Sequence, residues 1–223
     1  MSGKVWMSSL FSNSNVGNKL GLRRQSFGSG WDPEGHAPPP VGQTVVKSIT
    51  RYTRGERLSR NEMPRAAAVW DEKCFARAYD IFSVGGVYCV KGSLYDVLAN
   101  VDLGGGELIP FPIYKADLKT RYPGKFYLLN FGSQKDTILP ERSPKLSKFV
   151  VEKETGKQYW KVDDWVDDFV TMSADSLKGP DIWVEAVLYN KIFLSDMLAQ
   201  AIDDIGLSDV FQLEECRIAE DAQ

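Results

Sequence analysis

An apolar pattern that occurs twice constrains the fold of this 223-residue chain more than any other feature of its sequence. The first copy spans residues 87–103 and the second spans residues 191–207. In each copy apolar side chains recur every three or four positions, which is the stripe of an amphipathic helix. The matching pairs are Val90 and Leu194, Leu94 and Leu198, Val97 and Ala201, Leu98 and Ile202, Val101 and Ile205, and Leu103 and Leu207.

Each copy predicts a short strand followed by a helix. The apolar runs at residues 87–90 and 191–194 have the length and composition of buried strands. The amphipathic stripes that follow predict helices over residues 93–100 and 196–205. We expect the two strand–helix pairs to have the same structure.

Local signals define the ends of the second unit. Ser195 is placed as the helix N-cap, and Gly206 supplies the left-handed residue that ends many helices. Both copies then continue into another extended apolar segment, at residues 107–113 and 210–213. The sequence therefore predicts a strand–helix–strand unit that is used twice.

Hairpin signals lie between the two copies. Residues 121–125 read Arg-Tyr-Pro-Gly-Lys, a type II turn signature, and residues 125–131 follow as a buried strand. A second hairpin is predicted from residues 147–152 and 157–162, with Gly156 as its left-handed residue. Helices and antiparallel hairpins together predict an α+β fold in a single domain.

The N-terminal third is predicted to be irregular. Residues 4–10 indicate a first strand, and the Gly-, Ser- and Pro-rich residues 11–42 indicate a long loop. The β-branched residues at 44–50 favour another strand. We divide the chain into residues 1–65, packed on the body, and an α+β domain over residues 66–223.

Few residues in this chain are suited to catalysis or metal binding. His36 is the only histidine, so a site with several histidine ligands is excluded. Cys74, Cys89 and Cys216 are far apart and odd in number, which is typical of reduced core thiols. The sequence has no nucleotide-binding, nucleophile-elbow or zinc-protease motif. We therefore expect no enzymatic activity, no bound metal and no cofactor.

The apolar runs also bear on cellular location. None approaches the length of a membrane-spanning helix, and the first residues lack the layout of a signal peptide. We expect a cytoplasmic protein with no membrane partner.

Charge is distributed unevenly along the chain. The formal net charge is −3, yet residues 151–223 carry 17 acidic side chains against six basic ones. Such asymmetry is typical of a chain that has a charged face for a partner, or of one whose basic and acidic ends neutralise each other within the fold. We expect the four aspartates around residue 165 to be unpaired in the fold, and we expect six surface carboxylates in all to bind the partner. They are Asp163, Asp164, Asp167, Asp168, Asp203 and Asp204.

The acidic run at residues 162–170 permits more than one interpretation. Its pattern fits either a helix with four aspartates on one face or a strand that begins near Phe169. A solvated face, a surface for a basic protein, a divalent cation site and acid–base chemistry all remain open for these carboxylates.

A row of arginines precedes the main body of the chain. It forms either a phosphate-contact row for nucleic acid or a solvated basic segment, and Gly55 and the lack of interleaved aromatic residues favour the second. Nucleic acid is therefore an unexpected partner. The row consists of Arg51, Arg54, Arg57, Arg60 and Arg65.

Three blocks near the C-terminus carry a family resemblance. They are residues 177–183 (Leu-Lys-Gly-Pro-Asp-Ile-Trp), 192–198 (Ile-Phe-Leu-Ser-Asp-Met-Leu) and 205–211 (Ile-Gly-Leu-Ser-Asp-Val-Phe). This arrangement resembles bacterial immunity proteins of polymorphic toxin systems, in particular the immunity protein 11 type, formerly a domain of unknown function. The resemblance covers roughly residues 80–218, and Asp209 stands where the family usually has glycine.

The resemblance implies an antitoxin without enzymatic activity that binds and blocks a cognate toxin delivered by a neighbouring cell. Toxins of this kind are often nucleases, whose basic grooves attract an acidic surface. Two alternatives remain. One is a nucleic-acid-binding regulator that uses the segment from Arg51 to Arg65, and the other is a carboxylate-based hydrolase.

Overall fold

Residues 3–18, 20–26, 43–163, 167 and 169–219 are described by the computed structural model of this chain. They contain both strands and helices, which confirms the α+β class. The strands are β1 (Val5–Ser8), β2 (Leu22–Ser26), β3 (Pro64–Val69), β4 (Ile81–Val84), β5 (Val87–Val90), β6 (Glu107–Pro110), β7 (Ile113–Tyr114), β8 (Tyr127–Asn130), β9 (Gln134–Lys135), β10 (Leu146–Val151), β11 (Gln158–Val162), β12 (Thr171–Met172), β13 (Ile182–Glu185), β14 (Ile192–Ser195) and β15 (Leu213–Ile218). The α-helices are α1 (Gln43–Thr53), α2 (Glu72–Phe75), α3 (Gly92–Leu98), α4 (Asp196–Asp204) and α5 (Ser208–Phe211).

Two sheets share one topology. Four antiparallel strands lie in the order β4-β5-β8-β6 in the first sheet and β13-β14-β1-β15 in the second. Helix α3 follows β5, and α4 follows β14. In the first sheet β8 lies between β5 and β6, the strand that comes after α3. In the second sheet β1 lies between β14 and β15, the strand that comes after α4. The strands β12 and β9 extend the second sheet by parallel pairing at its edges. The duplicated unit that the sequence predicts is thus present in the strand arrangement.

The central strands β8 and β1 also have the same register relative to the two copies of the repeat. Tyr127 on β8 pairs with Val90, and Trp6 on β1 pairs with Leu194, which is the position that matches Val90 in the repeat. Trp6 and Tyr127 therefore occupy equivalent places in the two sheets. In the first sheet this strand is β8, which comes after the first copy of the repeat in the chain. In the second sheet it is β1, which comes from the N-terminal residues.

The local signals around helix α4 and the second predicted hairpin are confirmed. The Ser195 hydroxyl caps α4 by accepting a hydrogen bond from the Leu198 amide at 3.3 Å, and Gly206 follows the helix with φ of +72°. The strands β10 and β11 form the predicted antiparallel hairpin, in which Gly156 has φ of +70°. Gly124 has a positive φ, but β7 and β8 on either side of residues 121–125 belong to different sheets, so the predicted turn does not close a hairpin between them.

The predicted strand at residues 44–50 is wrong, because this segment belongs to helix α1. Its β-branched residues favour a strand locally. However, Ser48 and Tyr52 are buried and Val45 and Ile49 are half-buried, and these four positions follow the helical period. Burial of that stripe against the sheets outweighs the local preference.

The predicted loop over residues 11–42 is wrong in part. Residues 22–26 form β2, which pairs antiparallel with β3, and short 3₁₀ turns span Leu10–Ser12 and Ser14–Val16. Strand β2 is mostly polar, so its sequence lacks the apolar signal that marks a strand. Residues 27–42 lie outside the described residues, and the proposed boundary at residue 65 stays a prediction.

A third correction concerns residues 210–213, for which we expected an extended segment. Helix α5 continues to Phe211, and β15 begins only at Leu213. Leu207, Val210 and Phe211 are all buried, and their spacing of three and four positions suits a helical turn. The apolar run therefore packs as a short helix before the chain enters the sheet.

The core lies on both faces of the second sheet. The larger cluster joins α4 to the first sheet through residues such as Leu94, Leu128 and Leu198. The smaller cluster covers the opposite face and contains Val5 and Met7 of β1, whereas Trp6 packs against the larger cluster. This division follows from the alternation of side chains along a strand.

Tyr52 fixes helix α1 to the first sheet. Its ring is fully buried, and its hydroxyl donates to the Leu129 carbonyl at 2.8 Å and accepts from the Tyr88 amide at 3.1 Å. The ring also lies 5.0 Å from the Phe131 ring, centroid to centroid. One side chain thus links α1 to β5 and β8.

We expect Tyr52→Phe to lower the free energy of unfolding by about 2 kcal/mol, because two buried backbone groups lose their partner. This corresponds to a melting temperature about 4–8 °C lower. Tyr79→Phe is the matched control, because Tyr79 is 43% exposed, and its effect should stay within about 0.5 kcal/mol. Urea unfolding measures both, and equal losses in the two variants would contradict the anchoring role of Tyr52.

The three thiols should react at different rates. Burial raises the pKa of Cys89 far above its ordinary value, and Cys216 is also buried, whereas Cys74 is half-buried. Because the thiolate is the reactive form, iodoacetamide should modify Cys74 first in the native protein. Peptide mass spectrometry after short exposure measures the order, and early modification of Cys89 would contradict its placement in the core.

Candidate partner-binding surface

The predicted aspartates near residue 165 are only partly described. Asp164 and Asp168 lie outside the described residues. Asp163 follows β11 and is exposed, and its carboxylate accepts from the Ser147 hydroxyl at 2.9 Å and lies 3.2 Å from the Lys161 ammonium. The hydrogen bond from Ser147, with help from Lys161, lowers the pKa of Asp163. Asp167 is exposed and accepts from the Glu215 amide at 2.9 Å.

The other two predicted aspartates lie in the last turn of α4. Asp203 accepts from the Ser208 hydroxyl at 2.5 Å, and Asp204 accepts from the Gln200 amide at 3.0 Å. Our expectation of unpaired carboxylates is therefore wrong for Asp163 and Asp167, and Asp203 and Asp204 also have partners in the chain. A negative charge at the surface attracts nearby donors of its own chain, which the sequence pattern does not reveal.

The described candidates do not form one patch. Asp163 belongs to the hairpin of β10 and β11, whose Leu146, Trp160 and Val162 pack in the smaller core cluster. Asp203 lies on α4, which packs in the larger cluster on the opposite face of β1. The structure thus separates Asp163 from Asp203.

An acidic cavity of about 240 Å³ lies beside α4. Asp196, Gln200 and Asp203 line it from the helix, and Trp6 of β1 and Leu213 of β15 complete its wall. We call it the acidic cavity. Asp203 is the lining residue that the sequence predicts as a site residue. In the cavity it lies with the indole ring of Trp6 and the carboxylate of Asp196.

Both carboxylates of the acidic cavity are held in place. The Trp6 indole Nε1 donates to Asp196 Oδ1 at 2.9 Å, and the Ser208 hydroxyl orients Asp203. The ring of Trp6 already has one cation near it, because the Lys4 ammonium lies 5.7 Å from the ring centroid while it binds Glu215 at 2.8 Å. The indole and the carboxylates together provide groups that bind an ammonium or guanidinium.

The position of Asp203 is unfavourable for the helix itself. Carboxylates stabilise the first turn of a helix and destabilise the last, because of the helix dipole. Asp196 is in the first turn of α4, but Asp203 and Asp204 are in the last turn, which has no basic residue. The dipole therefore disfavours Asp203, and the contact that offsets this in the chain is its hydrogen bond from Ser208 at the start of α5.

Sequence reasoning missed Asp196 and Trp6 as site residues. Asp196 and Asp203 are seven positions apart, so they share one helix face, and that spacing is a signal present in the sequence. No comparable signal identifies Trp6, because only the pairing of β1 with β14 brings it to α4.

Four of the five arginines in the row have partners within the chain. Arg51 binds Glu56 at 2.7 Å and also contacts Glu62. The remaining contacts join Arg54 to Glu152 at 3.0 Å, Arg57 to Glu107 at 2.9 Å, and Arg60 to the backbone carbonyls of Pro64 and Arg65. Contact with phosphates would require several of these ion pairs to break, which weighs against the nucleic-acid reading.

A second exposed surface lies on the hairpin. Within the described residues β10 pairs only with β11, so it is the edge of a two-stranded sheet. Phe149, Val150 and Val151 on β10 and nearby Tyr189 are 47–52% exposed, and the rings of Phe149 and Tyr189 lie 4.7 Å apart. An exposed apolar patch of this kind is typical of protein contact.

Lys191 and Ser9 form a buried polar contact. The Lys191 ammonium donates to the Ser9 hydroxyl, and burial lowers the pKa of Lys191 to about 8. A lysine of low pKa beside a serine suits nucleophilic catalysis. However, Ser9 has no exposed surface and Lys191 is 5% exposed, so a substrate does not reach them in this conformation.

A cluster of metal-binding side chains and a membrane-spanning helix are both absent from the described residues. Within them, no three His, Cys, Asp or Glu side chains come together as a metal site would require. In that same part of the chain, no helix has the length and apolar character needed to span a membrane.

Comparison with protein families and with curated proteins yields no match. No protein-family model matches this chain, and no curated protein matches it. The comparisons therefore neither support nor contradict the resemblance to immunity proteins.

The same substitution should have opposite effects at the two ends of α4. Asp203→Asn should stabilise the protein by about 0.3–1 kcal/mol, because it removes a charge from the negative end of the helix dipole. Asp196→Asn should destabilise it by a similar amount, because that charge lies at the positive end. Urea unfolding at low salt measures both effects, and destabilisation by both variants would contradict the dipole argument.

Proposed function

We propose that this chain is a cytoplasmic immunity protein that binds a basic toxin and blocks its active site. The acidic cavity carries this proposal, because its chemistry fits a lysine or arginine side chain of a partner protein. The family resemblance and the acidic C-terminal third point to the same class of partner.

The acidic cavity suits one long basic side chain. Its volume of about 240 Å³ is small for a metabolite and fits a side-chain anchor. Asp196 and Asp203 supply negative charge, and Trp6 supplies an aromatic face. Arginine in such a pocket forms charge-assisted hydrogen bonds and stacks on an indole, and buried anchors of this type contribute most of the energy at many interfaces.

Occlusion of the toxin follows from charge complementarity. A nuclease groove is basic because it binds phosphates. The acidic residues around α4 would be attracted to such a groove, and this attraction raises the association rate. The hairpin patch around Phe149 lies on the opposite face of β1, so we assign it no part in the same contact.

A carboxylate-based hydrolase is the second candidate, because Asp196 and Asp203 line one cavity. Such enzymes need two carboxylates that flank the scissile bond. Turnover of a glycoside that Asp196→Asn abolishes would favour the hydrolase. Inhibition of a toxin at a one-to-one ratio, without turnover, would favour the immunity protein.

The direct test uses the toxin domain that this proposal expects to be encoded by a neighbouring gene. We expect Asp196→Asn combined with Asp203→Asn to weaken binding about tenfold or more, with most of the loss in dissociation, because the basic side chain of the toxin loses both of its carboxylate partners. Asp175→Asn is the matched control, because Asp175 is exposed and binds only Lys178 at 2.7 Å. Biolayer interferometry measures both rates, and unchanged binding by the double variant would remove the acidic cavity from the interface.

A second variant tests the acidic run around residue 165. It changes four aspartates to asparagine and should slow association and flatten its salt dependence, because exposed charges act mainly on the encounter rate. The fold should stay intact, since asparagine oxygens still accept the hydrogen bonds that Asp163 and Asp167 receive. An unchanged association rate would exclude this run. The four residues are Asp163, Asp164, Asp167 and Asp168.

A further inference from the structure

A second cavity, of about 430 Å³, lies beside helix α3. The start of α3 forms one wall, and the turn that precedes β8 forms the other. Its volume falls within the usual range for small-molecule sites. The proposed toxin contact does not involve this cavity, which we call the aromatic cavity.

The two cavities occupy equivalent places in the duplicated unit. Gly92, Tyr95 and Asp96 line the aromatic cavity, and the matching residues of the second copy, Asp196, Ala199 and Gln200, line the acidic cavity. The equivalent central-strand residues also lie alongside them: Trp6 lines the acidic cavity, and Tyr127 stacks on Tyr95. A recess at this place is thus a feature of the unit, and its chemistry differs between the copies.

The aromatic walls of the cavity are held in fixed orientations. Tyr95 stacks on Tyr127 with ring centroids 4.0 Å apart and an interplanar angle of 14°. Phe75 is buried and lies 5.1 Å from Tyr122 and 6.0 Å from Phe126, centroid to centroid. Because packing fixes these rings before any ligand arrives, a planar ligand would bind with little loss of side-chain entropy.

Two lysines provide positive charge at the cavity. Lys125 is exposed and, within the described part of the chain, has no ion-pair partner. Lys91 lies 3.8 Å from Asp80, at the outer limit of an ion pair. Asp80 meanwhile accepts two hydrogen bonds of 2.9 Å from the amide and hydroxyl of Ser93. Both ammonium groups are therefore suitable for binding an anion.

A carboxylate limits the choice of ligand. Asp96 also lines the cavity and is exposed. It disfavours a ligand that is anionic throughout, and it suits one that has hydroxyl or amino donors as well as an anionic group. A nucleotide supplies a group for each of these side chains. Its planar base would stack on the aromatic rings, its ribose hydroxyls would donate to Asp96, and its phosphate would bind the lysines.

We propose that the aromatic cavity binds a 5′-mononucleotide. The base lies among Tyr95, Tyr122 and Phe126, and the phosphate lies at Lys91 and Lys125. This assignment is independent of toxin binding, so either proposal can fail without the other.

The test titrates the full chain with AMP and, in parallel, with adenosine and with inorganic phosphate. We expect AMP to saturate with a Kd of about 0.1–1 mM, and each part alone to bind at least about tenfold more weakly, because the full ligand uses both the rings and the lysines. Isothermal titration calorimetry measures the affinities. NMR chemical-shift changes at the amides of Gly92 and Gly124 report the location.

Two matched variants make the test specific. Lys125→Gln should weaken AMP binding about fivefold or more, because an exposed phosphate contact is lost. Lys119→Gln removes the same charge from an exposed loop outside the cavity and should leave the affinity unchanged. Circular dichroism of each variant checks that the fold is retained.

Several results would overturn the proposal. They are no saturable binding of AMP up to about 10 mM, an equal loss in both lysine variants, and AMP binding no tighter than that of phosphate alone. Tighter binding of a short single-stranded oligonucleotide with a steep salt dependence would also overturn it, because that result indicates a nucleic-acid surface and not a mononucleotide site.

Discussion

The pairing of the N-terminal strand β1 between β14 and β15 is the constraint on which the rest of the second half depends. Trp6 pairs with Leu194 on one side and with Glu215 on the other, so this short strand completes the sheet. Its alternating side chains then divide the core into a cluster on each face. The same pairing places Trp6 against Asp196, so the acidic cavity exists only because the two ends of the chain meet.

The duplicated unit explains how one fold presents two different recesses. Both copies use a strand, a helix and a returning strand around a central antiparallel strand, and both leave a cavity beside the helix. The apolar positions of the repeat serve the core and are retained in both copies. The positions that line the two cavities lie outside the repeated apolar pattern, and their residues differ. Tyr95 and Asp96 in one copy correspond to Ala199 and Gln200 in the other, of which Ala199 is buried in the core. One core pattern therefore supports an aromatic, lysine-rimmed recess and an acidic one.

Many charged side chains of this protein already have partners in the same chain, which changes what they can offer to another protein. The arginine row is regular in the sequence, yet Arg51, Arg54 and Arg57 each meet a glutamate from the same or a distant segment. The acidic residues behave in the same way, since Asp163 and Asp203 both accept hydrogen bonds from their own chain. Exposed pairs of this kind contribute little to stability. Their main effect is that the paired side chains are less available to a partner protein. A count of charged residues in the sequence does not show which side chains are paired.

The sequence by itself determined the elements whose signals are local. Helix α4, with its cap at Ser195 and stop at Gly206, and the hairpin around Gly156 follow from periodicity and turn chemistry within a few residues. Tertiary structure decided the rest. Residues 44–50 are helical because Tyr52 and its neighbours bury one stripe, and Trp6 reaches α4 through pairing with the far end of the chain. Local patterns fix φ and ψ preferences, but burial and strand pairing depend on which distant segments meet, and only the folded chain determines that.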